Sequence, residues 1–262
     1  MAENTKIQMK ITLLQTEISW NAPETNRRRA EEMMREAEKS DVYVLPEMFS
    51  TGFATQPEGI AEEDEGSLRW MTKMAKELDA AVAGSIATKV EEGAYCNRMY
   101  FVKPDGMVSF YDKRHLFSYA GEDKRYKAGK ERKIVEFRGV KFLLQVCYDL
   151  RFPVWSRNKG DYDCAIYVAN WPLSRIEAWN TLLKARAIEN QAYVCGVNRV
   201  GSDDACQYVG GTQLIDPYGR VAARCEDSKE GTVTRELNME KLREFREKFT
   251  AIKDEDVFEV KS

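Results

Sequence analysis

The chain has 262 residues, 43% of them hydrophobic, with 40 basic and 43 acidic side chains and a formal charge of -3. That much apolar material can fill one large core, and the near-balanced charge, without a basic block interleaved with aromatics, argues against nucleic acid as a partner. Six cysteines form no Cys-x-x-Cys pair and His115 is the sole histidine, so no metal or cofactor is expected and the thiols read as reduced.

The N-terminal stretch "MAENTKIQMKITLLQT" has no cationic segment followed by an apolar signal core. No run approaches the roughly 20 apolar residues of a membrane span, and a soluble cytoplasmic protein is the expectation. In chain order, "MKITLLQT" and "VYVLPE" read as buried strands, and between them Ala30, Met33, Met34 and Ala37 recur at helical spacing. A second helix around Leu68, Met71, Ala75 and Leu78 leads into "AAVAGSIAT", and "RMYFVKPDGMVSFYDK" reads as a hairpin turning at Pro104, Asp105 and Gly106. The next strand pair turns at Gly139. Then come the strand "CAIYVAN", a helix from about Ile176 to Asn190, the strand "AYVCGVNRV" and a hairpin turning at "DPYG". From about Asn238 the tail is charged and helix-prone, without a core of its own, and suits packing or contacts between copies. With no Pro/Gly/Ser linker, residues 1–262 read as one α/β domain built on mixed sheets.

Three segments place chemistry at strand ends. "LPEMFSTGF" holds Glu47, "FYDKRHLF" holds Lys113, and "LLQVCYDLRFP" holds Cys147. Taken singly, each charged residue is most simply a solvated one, and Cys147 a small core hydrophobe closing its strand. Together they are a carboxylate, an ammonium and a thiol at the strand ends where α/β proteins gather their ligand sites. A thiol needs a base to become a nucleophile, and a nearby cation lowers its pKa and steadies an oxyanion.

In these segments, and on through "VANWP" and "LLKARAIENQAYVCGVNRVG", the sequence resembles the carbon-nitrogen hydrolase (nitrilase) superfamily, most closely its omega-amidase branch. The resemblance implies a four-layer α-β-β-α sandwich and amide hydrolysis through a cysteine thioester. It also implies Glu47 as general base, Cys147 as nucleophile, and Lys113 with the backbone N–H of Tyr148 as stabilisers of the oxyanion. A second glutamate is expected in the loop after the lysine strand. Glu122 in "AGEDKRYKAG" fits it, with Asp123 as the neighbour that could displace it, and its role would be to orient Lys113 and the substrate amide. His115 is expected to be structural, and Cys164 and Cys195 core packing.

For substrate contacts the candidates are Phe49, Phe53, Phe117, Tyr119, Tyr148, Trp171 and Arg175, and about half of such aromatics belong to core or rim. The branch implies a short 2-oxo dicarboxylic acid monoamide, 2-oxoglutaramate or 2-oxosuccinamate, losing its distal amide as ammonia. The alternative on the same scaffold is an N-carbamoyl amino acid or another aliphatic amide. Arg175 could grip a substrate carboxylate with its planar fork or be a first-turn helix arginine facing water. The family commonly pairs through helices beside the site, so a homodimer or larger homo-oligomer is expected.

Overall fold

The computed structural model describes residues 8–260. Two six-stranded sheets carry the molecule. The first runs, in spatial order, β14 (Gly231–Asn238), β1 (Gln8–Gln15), β2 (Val42–Val44), β3 (Ala81–Glu91), β4 (Ala94–Val102) and β5 (Val108–Asp112). The second runs β13 (Val221–Arg224), β12 (Gln213–Ile215), β9 (Tyr193–Asn198), β8 (Cys164–Ala169), β7 (Val140–Val146) and β6 (Ile134–Phe137). Between β9 and β12, β10 (Val200–Ser202) and β11 (Gln207–Val209) form a separate two-stranded ribbon. The helices are α1 (Pro23–Glu36), α2 (Gly66–Leu78), the short α3 (Pro153–Ser156), α4 (Ile176–Asn190) and α5 (Met239–Lys248).

The central strands are buried on both faces, so they read as apolar runs, and their two-residue period sorts them into layers. Met9, Ile11 and Leu13 of β1, Val42 and Val44 of β2, Phe142, Leu144 and Val146 of β7, and Ile166 and Val168 of β8 fill the core between the sheets. The intervening Tyr43 and Leu14 pack instead against Ala30 and Met34 of α1 and Met71 and Met74 of α2. On the far side Leu143, Ala165, Tyr167 and Val194 meet Trp179, Leu183 and Ala187 of α4. The result is the expected four-layer α-β-β-α sandwich. Gly196 lets α4 sit close: a Cβ there would stand 2.4 Å from Leu183 Cδ1 and 2.9 Å from Trp179.

β1, β2 and β3 are mutually parallel, as are β7, β8 and β9, while β4 pairs antiparallel with both β3 and β5. Hence β2 and β5 point the same way, and the carboxyl ends of β2, β5, β7 and β8 supply one site. Two segments differ from the sequence reading. "AYVCGVNRV" breaks at Arg199 into β9 and β10, where the buried guanidinium donates to Ile18 O at 2.9 Å. β14 escapes an apolar pattern because it is an edge strand, with Leu237 its one buried residue, pairing antiparallel along all of β1. The charged tail contributes Met239 and Leu242 of α5 to the inter-sheet core.

Candidate active site

Glu47 lies just beyond β2, in a turn where Met48 takes a positive φ of 44° and donates its N–H to Ser85 Oγ at 2.9 Å. Its Oε1 accepts from Lys113 Nζ at 2.9 Å and Asn97 Nδ2 at 2.8 Å, and its Oε2 accepts from the Asn170 N–H at 2.8 Å. Lys113 follows β5 directly, and its Nζ also donates to Glu122 at 3.1 Å (Oε1) and 2.9 Å (Oε2). Glu122 opens a short 3-10 turn and accepts the Phe117 N–H at 2.6 Å. All three side chains are fully buried, whereas Asp123 is exposed, so the loop glutamate brought to the lysine is Glu122.

Cys147 starts the 3-10 turn Cys147–Arg151 after β7 and stands at a φ of 45°. A non-glycine residue in the left-handed region is held there by its surroundings. The turn brings the sulfur to the wall of a cavity of about 580 Å³. Burial, and next the Glu47 carboxylate, push the thiol well above the ordinary cysteine range, against a lowering by Lys113. Burial alone would push the Lys113 ammonium down, but Glu122 and Glu47 reverse this and hold it well above the usual lysine value. Burial raises Glu122, opposed by Lys113. The resting site is therefore a neutral thiol beside a fully charged ammonium clamped by carboxylates.

Phe53, Phe117, Tyr148, Trp171 and Arg175 line the cavity together with Cys147. Two candidates do not. Tyr119 is 86% exposed and points to water, its place on the wall being taken by Ala120. Phe49 is buried under α2, its ring 5.6 Å from Trp70, because its strand-end loop folds back over the first sheet's outer face. Arg175 sits at the N-terminal edge of α4 with its guanidinium over the Phe117 ring, 5.3 Å from the centroid. His115 is beside Asp149 and stacks on Phe152, and Cys164 and Cys195 are buried in the core.

Sequence reasoning missed several residues here. Asn97 of β4 bridges both glutamates, donating to Glu122 Oε1 at 3.1 Å as well as to Glu47, and Asn170 beyond β8 also donates its Nδ2 to Glu47 O at 2.7 Å. Arg151 lines the cavity with its guanidinium 5.0 Å from the Trp171 ring. Its signal was its place in "CYDLRFP", four residues past the thiol. Trp20 and the ribbon residues Ser202 to Cys206 also line the cavity. Among the described residues, neither Arg151 nor Arg175 has an ion-pair partner, and no group of three or more His, Cys, Asp or Glu could hold a metal.

A thiol with a carboxylate to move its proton and a cation to meet developing negative charge is equipped for acyl transfer. The family model for carbon-nitrogen hydrolases matches residues 10–247, and the chain belongs to that family as an amidohydrolase. It is 49% identical over 251 residues to Omega-amidase YafV of Escherichia coli (strain K12), covering 95% of this chain and 98% of that one. It is 37% identical over 251 residues to the 2-oxoglutaramate amidase of Bacillus subtilis (strain 168), covering 93% and 96%. The crystal structure of XC1258 from Xanthomonas campestris, a CN-hydrolase superfamily protein with an arsenic adduct in its active site, has a TM-score of 0.93 at 40% identity, covering 97% and 99%.

Proposed function

We propose that the protein hydrolyses the distal amide of a short 2-oxo dicarboxylic acid monoamide, of the 2-oxoglutaramate type, to the dicarboxylic acid and ammonia. The observation that carries this reading is the Glu47–Lys113–Glu122 cluster beside Cys147 at a cavity whose wall holds two guanidinium groups without carboxylate partners. An N-carbamoyl amino acid remains the alternative on the same scaffold.

Glu47 takes the thiol proton as the sulfur attacks the amide carbon, so an S–C bond forms and the carbonyl becomes an oxyanion. Lys113 Nζ is held between Glu47 Oε1 and the two oxygens of Glu122. Its positive charge stabilises the oxyanion together with the Tyr148 N–H. Collapse breaks the C–N bond, and the proton held on Glu47 leaves with ammonia. Water then attacks the thioester, giving a proton to Glu47, and the S–C bond breaks to release acid and restore the thiol. Glu122 keeps Lys113 charged and aimed throughout, and a carboxylate on the substrate is gripped by Arg175, with Arg151 facing the same space.

Ammonia release from 2-oxoglutaramate, 2-oxosuccinamate, glutamine, asparagine and N-carbamoyl-β-alanine tests this directly, with the 2-oxo monoamides expected to lead; preference for the carbamoyl compound would favour the alternative. Arg175→Lys keeps the charge and loses the fork, so KM for the 2-oxo monoamides should rise about 10-fold while butyramide is unaffected. Equal weakening of both would make Arg175 scaffolding.

For assembly we propose a homodimer or larger homo-oligomer. The support is an apolar patch on α4, the end of α5 and the β12–β13 turn, where Ile188, Tyr218 and Phe249 are 55%, 53% and 60% exposed and the Tyr218 ring packs at a tilt against Phe245, with centroids 4.2 Å apart. A cytoplasmic location is proposed on the six free thiols; among the described residues no helix is long and apolar enough to cross a membrane. Sedimentation of wild type against Ile188→Glu tests the assembly.

A further inference from the structure

The reaction above uses Lys113 of "YDKRHLF" and Cys147 of "CYDLRFP" and leaves their neighbours Tyr111, His115 and Asp149 without a part. These three meet. Asp149 is fully buried, and its Oδ2 accepts from the Val146 N–H at 2.9 Å and the Tyr111 hydroxyl at 2.8 Å. Its Oδ1 accepts from the His115 N–H at 3.0 Å and lies 2.7 Å from His115 Nδ1, which donates to the carboxylate. The His115 ring is locked by stacking on Phe152, with centroids 3.9 Å apart and planes 6° from parallel. The Tyr111 oxygen also accepts from the Arg114 N–H at 3.1 Å and Trp155 Nε1 at 3.0 Å, so the hydroxyl is fully used.

The positions of the donors matter more than their number. Val146 precedes the nucleophile, and its bond to Asp149 closes around Cys147, the residue at a φ of 45°. Tyr111 and His115 stand two residues either side of Lys113, at the end of β5. One carboxylate therefore ties the thiol's turn, in the second sheet, to the ammonium's strand end, in the first. Apolar packing between sheets is non-directional, whereas acyl transfer needs its groups within about 0.5 Å of the productive geometry. A four-donor carboxylate has a fixed register.

We propose that Asp149 is a positioning residue, setting the Cys147 sulfur against the Lys113 ammonium by clamping the nucleophile turn to the end of β5. The inference rests on the roles given above to Cys147 and Lys113. Asp149→Asn keeps the shape and puts an NH2 where two donors converge. The turn should shift, and kcat should fall about 100-fold with KM within about threefold, in protein folded by circular dichroism. A second readout separates positioning from mere support. With the sulfur moved off Lys113, the pH profile of iodoacetamide labelling at Cys147 should move to higher pH.

Tyr111→Phe removes one donor and should give the same pattern more weakly, about tenfold in kcat. Folded Asp149→Asn with wild-type kcat, or with a labelling profile that does not move, would overturn the proposal. If Asp149→Asn does not fold, Tyr111→Phe decides alone, and an unchanged kcat and profile there overturn it. Cys147→Ala in the same assays tells the two failures apart. Activity surviving in Cys147→Ala removes nucleophile and clamp together, while a dead Cys147→Ala beside an unaffected Asp149→Asn removes only the clamp.

Discussion

In the proposed mechanism a thiol held protonated by burial and an adjacent carboxylate attacks only when that carboxylate takes its proton, and this sets what pH should do to Cys147. The shift is upward, so the thiolate fraction is small at neutral pH and grows as pH rises past the free-cysteine value of about 8.5. Iodoacetamide labelling of the substrate-free enzyme should keep climbing through that range; a plateau below about pH 7 would mean a preformed thiolate and a different division of labour with Glu47. Cys147→Ala should lose at least about 10⁴-fold in turnover with its melting temperature nearly unchanged, and Cys147→Ser should be almost as inactive because its hydroxyl is far harder to deprotonate. Activity within about tenfold of wild type in Cys147→Ala would remove the nucleophile assignment. Glu47, Lys113 and Cys147 are legible in the sequence because each sits in a stretch where an apolar strand breaks into charge. Asn97 and Asn170 are not, since an amide inside "YCNRMY" or "VANWP" shows its role only when a distant glutamate folds against it. Tyr119 misled for the opposite reason: aromatic type says nothing about which side of a loop faces water.

At the scale of elements, the lysine depends on how closely the loop after it returns to its strand. Gly129 donates its N–H to Lys113 O at 2.9 Å, and a Cβ there would stand 2.0 Å from Asp112 O. Backbone at a strand end cannot swing aside as a side chain can. Gly129→Ala should therefore cost about 1–3 kcal/mol of stability and lower kcat as well, because relief of the clash moves the residue that carries the ammonium. Urea unfolding and steady-state kinetics on one preparation check both, and a wild-type midpoint would show the contact to be soft. Helix α4 runs from Ile176 to Asn190 as its spacing suggests, and the hairpins at Gly106, Gly139 and "DPYG" fall where turn residues put them. These features are local. β14 and the β10–β11 ribbon are not, for an edge strand is selected by its partner and the ribbon by the buried Arg199 that ends β9.

For the whole molecule, alternating strands and helices announce an α/β protein, but only the family resemblance supplied two sheets stacked face to face, because contacts across that interface, such as Phe101 with Phe142, join strands that are not neighbours in the chain. Enclosing so much surface also buries thiols, and this gives the sandwich a pH limit. Burial raises Cys96 to about 11 and Cys225 to about 12, and holds Cys164 well above the ordinary range. In the unfolded chain the same thiols titrate near about 8.5. Between those values the folded state keeps protons that the unfolded state gives up, so unfolding releases protons and stability must fall as pH rises. Below the unfolded value neither state ionises and the effect vanishes. Buried Tyr111 and Tyr162, also held well above their usual value by burial, add to the decline once unfolded tyrosines begin to ionise near about pH 10. The urea midpoint should accordingly be level from about pH 7 to 8 and slope downward beyond, with the slope reduced in a Cys96→Ala, Cys225→Ala double variant. A midpoint level to about pH 10 would mean that these thiols ionise in the folded protein as readily as in the unfolded one, and the core around them would have to admit water.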